Sequence, residues 1–107
     1  MTMDSTRDAW VHPASHCAGD TASGAAPPMG MRLRLKASYP LKGIGTTARA
    51  IAVAMKEYGL IVADNGSNWY ISGTSDRRWD DEELDALKGI PGSAFEVVRS
   101  AAAVRPC

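Results

Sequence analysis

The side chains best suited to chemistry in this sequence fall into two clusters. Asp64, Asn65, Ser67, Asn68, Trp69 and Tyr70 crowd one short stretch, and Arg77, Arg78, Trp79 and Asp80 follow a few residues later. Trp and Tyr faces beside Asp and Asn are the usual equipment for gripping a sugar, whose C–H face stacks on a ring while its hydroxyls bond polar groups at the edge. Asp64, Asn65, Asn68, Trp69, Tyr70 and Arg78 are therefore the candidate binding residues, with carbohydrate as the expected partner. A purely structural explanation competes with this one. Asp-Asn-Gly is a turn sequence, Trp69 and Ile71 suit the inward face of a strand, and Arg78 can pair with Asp80 or Asp81.

Other constellations are weaker. His12, His16 and Cys17 have an i, i+4 histidine spacing, but Pro13 follows His12 and no acidic third ligand sits within the motif, so no metal site is expected. No G-x-S-x-G or S-x-x-K nucleophile motif occurs. Gly43-Ile44-Gly45-Thr46-Thr47-Ala48 opens a helix as a dinucleotide-binding turn would, and Asp64 follows at the end of the next apolar run. Against that reading, the preceding strand alternates, Tyr39-Pro40-Leu41-Lys42 intervenes, and Asp64 leads into a turn. No cofactor is expected.

The elements that must position these residues follow from periodicity. Ala48, Ile51, Ala52, Met55 and Tyr58 share one helical face, which predicts a main helix over 46–58, capped by Thr46 or Thr47 and ended by Gly59. Leu60–Ala63 and Trp69–Ile71 read as strands of a hairpin turning at Asp64-Asn65-Gly66. Met31, Leu33, Leu35 and Ala37 alternate with Arg32, Arg34, Lys36 and Ser38, which predicts a half-buried strand with one basic face. A short strand is expected around Trp10-Val11, closed by His12-Pro13, and a Gly- and Pro-rich loop over 18–30. An acidic-headed helix over 80–88 has Asp80 to Glu83 at its positive end, and 94–99 forms a last strand. The expected fold class is α+β: a small, mostly antiparallel sheet with one main and one short acidic helix. Residues 1–30 form a strand and loop, 31–99 the core of a single domain, and 100–107 a flexible tail.

Composition narrows the partners. Apolar residues make up 45% and charged residues 22% of the chain, ordinary values for a globular protein. Twelve basic and twelve acidic residues cancel, so no net field favours nucleic acid. No run reaches the roughly 18 apolar residues of a membrane span, and the first residues lack the basic head and apolar segment of a secretion signal. Cys17 and Cys107 lie far apart, and two separate thiols are expected, leaving the redox compartment open.

Taken together, the motifs Trp10-Val11-His12-Pro13-Ala14-Ser15-His16, Pro27-Pro28-Met29-Gly30-Met31-Arg32-Leu33-Arg34-Leu35, the run from Tyr58 to Gly73 (YGLIVADNGSNWYISG), Arg78-Trp79-Asp80 and Gly92–Val98 resemble the C-terminal part of an uncharacterised bacterial protein family. The resemblance covers about Thr2 to Arg99. Members are longer and generally secreted, some carry carbohydrate-binding modules, and the family has no established activity. It therefore implies a non-catalytic or fragmentary domain of a secreted or cell-envelope protein, associated with carbohydrate. It also implies that the chain begins partway through a fold, so that uncovered strand edges favour self-association. Bringing the His12–His16 loop to the Asp64–Asn68 turn would form a pocket, which makes His16 and Asp64 the catalytic candidates of an alternative, hydrolase-like reading. A small intracellular interaction protein is the third.

Overall fold

The patterns above become short elements joined by long-range pairings. The computed structural model describes residues 1–107. Its strands are β1 (Thr2–Met3), β2 (Arg7–Trp10), β3 (Pro28–Met29), β4 (Arg32–Leu35), β5 (Leu60–Ile61), β6 (Asp64–Asn65), β7 (Phe95–Val97) and β8 (Arg105–Pro106). Two α-helices, α1 (Thr46–Glu57) and α2 (Asp81–Leu84), lie between them, and 3-10 turns occupy Asp85–Gly89 and Gly92–Ala94. The fold is α+β. No helix is long and apolar enough to cross a membrane.

The chain divides into two compact units. One comprises Met1–Leu33, Leu60–Ser72 and Val97–Cys107, the other Arg34–Gly59 and Gly73–Glu96.

In the first unit β2 lies between β3, to which it is parallel, and β8, to which it is antiparallel. Ala9, Val11, Met29, Leu33 and Val62 form its buried apolar residues together with Met1. Arg32 and Leu33 of β4 pair antiparallel with Ile61 and Leu60. On the other side of β4, the Val98 N–H donates to the Arg32 carbonyl at 2.9 Å. The hairpin expected at Asp64-Asn65-Gly66 does not form. Asp64 and Asn65 are themselves β6, which pairs parallel with β1 in the register Thr2↔Asp64 and Met3↔Asn65. Trp69 cannot continue a strand, because its φ of 65° is in the left-handed region. Residues 100–107 end in β8, where Ala9 faces Pro106 and Trp10 faces Arg105. The Arg105 guanidinium stacks over the Trp10 ring, 5.2 Å from its centroid.

In the second unit the alternation holds as far as Leu35, which is fully buried between exposed Arg34 and Lys36, but β4 ends there and Ala37, placed on the buried face by alternation, is exposed. Arg34 pairs with Glu96 at 2.8 Å, and the Lys36 N–H donates to the Ala94 carbonyl at 2.9 Å. Ala48, Ala52 and Met55 form the buried face of α1. Tyr58, placed on that face by periodicity, is instead the exposed C-cap, and Gly59 follows with φ of 78°. Neither Thr46 nor Thr47 caps the helix through its side chain: Gly45 is the N-cap, and the Thr47 N–H donates to the Glu83 carboxylate. The acidic helix begins one residue later than expected because Asp80 is its N-cap, accepting from the Glu82 and Glu83 N–H groups.

Candidate functional site

The Asp64–Tyr70 stretch is an exposed loop tied down by one short strand. The Gly66 N–H donates to the Met3 carbonyl at 2.9 Å and the Trp69 N–H to the Thr2 carbonyl at 3.0 Å. In return the Thr2 N–H donates to the Tyr70 carbonyl at 2.9 Å, and the Thr2 hydroxyl donates to the Ser67 carbonyl. The Asp4 N–H adds a bond to Asn68 Oδ1 at 3.0 Å. Four backbone groups of the loop, the Gly66 and Trp69 N–H and the Ser67 and Tyr70 carbonyls, are thereby engaged by β1, which ties down a segment with little apolar burial of its own.

These bonds divide the candidate residues by what their side chains have left to offer. Asn65 is committed to the fold: its Oδ1 accepts from the buried Thr6 hydroxyl and its Nδ2 donates to the Ala18 carbonyl. Asn68 has its oxygen engaged by Asp4, which leaves Nδ2 to donate. Asp64 accepts from the Asn65 N–H through Oδ1 at 2.8 Å, leaving the second carboxylate oxygen. Trp69 is half-buried, and Tyr70 presents its ring at 65% exposure. The surface on offer to a ligand is therefore an aromatic ring, a carboxylate oxygen and an amide donor on one fixed loop.

Arg78 belongs to the other unit and is paired there. Its Nε and Nη2 donate to the two oxygens of Asp76 at 3.0 and 2.8 Å, and its N–H donates to Oδ1 at 2.8 Å. Asp80 and Asp81, the partners expected from sequence, are not the ones used. The side-chain and backbone hydrogen bonds from Arg78 hold the Asp76 carboxyl below its ordinary range. Trp79 donates from Nε1 to the Thr74 carbonyl at 2.8 Å, which fixes its ring beside this turn.

Of the catalytic candidates, His16 and Asp64 are both exposed, and no ion pair joins them. The loop after His16 does reach β6, since Ala18 accepts the Asn65 amide. At the head of α1, the place a phosphate takes in a dinucleotide fold is filled by the Glu83 carboxylate.

Cys17 and Cys107 are joined in a disulfide across 90 residues, where two separate thiols were expected. Separation along the chain misleads here because β8 returns the C-terminal segment to β2. One oxygen of Asp8 and the two sulfurs all lie within 4.8 Å of one another.

The residues that sequence reasoning missed are Thr2 and Thr6, which hold the loop, and Asp8, which faces the cysteines. Nothing in their local sequence marks them, since each acts through a pairing with distant residues. Comparison with protein-family models, with curated proteins and with solved structures finds no match to this chain.

Proposed function

We propose that the chain is a non-catalytic domain of a secreted or cell-envelope protein that binds carbohydrate through the Asp64–Tyr70 loop. The observation that carries the reading is the exposed Tyr70 ring, on the same loop as Asp64 and Asn68 and tied by the reciprocal bonds between Thr2 and residues 69–70. A sugar needs one flat apolar face and a few donors and acceptors at its edge, and a loop already ordered loses little entropy on binding. The disulfide suits an oxidising compartment. Membership of the secreted bacterial family that the Tyr58–Gly73 motif resembles belongs to the same proposal.

A glycan array and polysaccharide pull-down, run beside a general hydrolase screen, test it. The expected result is retention on a polysaccharide without turnover, lost in Tyr70→Ala while the far-ultraviolet circular dichroism is unchanged. Turnover abolished by both His16→Ala and Asp64→Asn would replace this reading with the hydrolase one.

A further inference from the structure

We propose that Asp8, Cys17 and Cys107 form a redox-switched site for a thiophilic divalent cation such as Zn2+, held by the dithiol form and released by the disulfide form. The proposal stands apart from the carbohydrate reading. The three ligand atoms converge within 4.8 Å, and a disulfide has no need of the carboxylate among them. Two thiolates and a carboxylate are a donor set for zinc and a poor one for magnesium or calcium.

Backbone pairings also gather them, beside the sulfur–sulfur bond. Cys107 follows β8, whose pairing with Ala9 and Trp10 sets it beside Asp8, and its N–H donates to the Asp8 carbonyl at 3.4 Å. Cys17 is placed by the loop behind it. The Asp20 N–H donates to the Thr6 carbonyl at 3.2 Å, and the Asp8 N–H to the Thr21 carbonyl at 2.8 Å. Gly19 passes so close that a Cβ there would lie 1.9 Å from the Arg7 carbonyl oxygen. The cysteine Cα atoms are 6.0 Å apart. Tetrahedral zinc with bonds of about 2.3 Å sets its sulfurs about 3.8 Å apart, a spacing that side-chain rotation alone supplies from that separation. Asp8 and Cys107 are exposed and Cys17 half-buried, so a redox partner has access, and water takes the fourth position.

The switch balances with a small-molecule disulfide as oxidant. One cysteine thiolate attacks it, forming a mixed disulfide and expelling one thiolate. The other cysteine thiolate attacks the mixed disulfide, closing Cys17–Cys107 and expelling the second thiolate. The two expelled thiolates take up protons from solvent, and Zn2+ departs with its sulfur ligands gone. A small dithiol runs the sequence backwards, and zinc then displaces the cysteine thiol protons.

The test titrates Co2+, then Zn2+, into the full chain in its reduced form, under anaerobic conditions and freed of reductant. The expected result is a thiolate-to-cobalt charge-transfer band that zinc removes, absent from the oxidised chain and from Cys107→Ser. Asp8→Asn should weaken zinc by at least the roughly tenfold that losing an outer-sphere partner brings. Circular dichroism of each variant establishes that it is folded, and the exposed position of Cys107 makes its substitution the safer one. A folded, reduced chain without the band overturns the proposal, as does an Asp8→Asn variant with unchanged zinc affinity.

Discussion

The Glu83 carboxylate accepts a hydrogen bond from the Thr47 backbone N–H, so an acid 36 residues downstream caps the start of α1. A helix leaves its first N–H groups without internal partners, and its positive end favours an anion there. Gly45, the N-cap, has no side chain to serve, and no acidic residue lies in the first turn. Glu83→Ala should therefore cost about 1 kcal/mol, the usual worth of a cap. Glu83→Gln, which keeps an acceptor and loses the charge, should cost less. Urea denaturation of the two variants checks the order, and an Ala variant as stable as the parent would remove Glu83 from this role.

Asn65 should matter more to stability than its exposure suggests. The Thr6 hydroxyl is fully buried and donates to Asn65 Oδ1. Asn65→Ala strands that hydroxyl, at about 1–3 kcal/mol for an unsatisfied buried group. Thr6→Val removes the buried polar group itself and leaves Asn65 with access to water, so its cost should be smaller. Thermal denaturation of both variants tests the asymmetry.

Arg78 sets the titration of Asp76. Its hydrogen bonds lower the carboxyl pKa, so the pair stabilises the fold above the ordinary carboxylate range. That contribution is lost as pH falls through the lowered folded value, and below both values it is gone. Carbon NMR should show the Asp76 midpoint rising in Arg78→Ala, while the bond from the residue 78 N–H keeps part of the shift. An unmoved midpoint would contradict the side-chain contribution.

Leu35 tests the packing of β4. It is fully buried, with exposed Arg34 and Lys36 on either side. Leu35→Ala should destabilise by about 2–5 kcal/mol, combining lost transfer energy with the cavity left behind. Arg34→Ala removes only an exposed ion pair and should cost about 1 kcal/mol or less. Denaturant midpoints of the two variants give the comparison.

What could be read from sequence was whatever a local pattern determines. Leu33 and Leu35 were marked by alternation, Ala48, Ala52 and Met55 by helical spacing, and Gly59 by the need for a left-handed residue after α1. Asp64-Asn65-Gly66 misled because its composition favours a turn, while its pairing with Thr2 and Met3 is decided by residues about sixty positions away. The disulfide was hidden in the same way, since only the return of β8 to β2 brings Cys107 to Cys17. Within the candidate site, sequence identified the polar and aromatic residues but could not separate Asn65, committed to Thr6 and Ala18, from Tyr70, left facing solvent.

Carbohydrate binding through Tyr70 is best measured by isothermal calorimetry on the polysaccharide that the parent chain retains. The parent chain should bind measurably, and Tyr70→Ala should lower the affinity by about tenfold or more, as loss of a stacking ring should bring. Equal affinity in a folded Tyr70→Ala variant, or no polysaccharide bound by the parent, would contradict it.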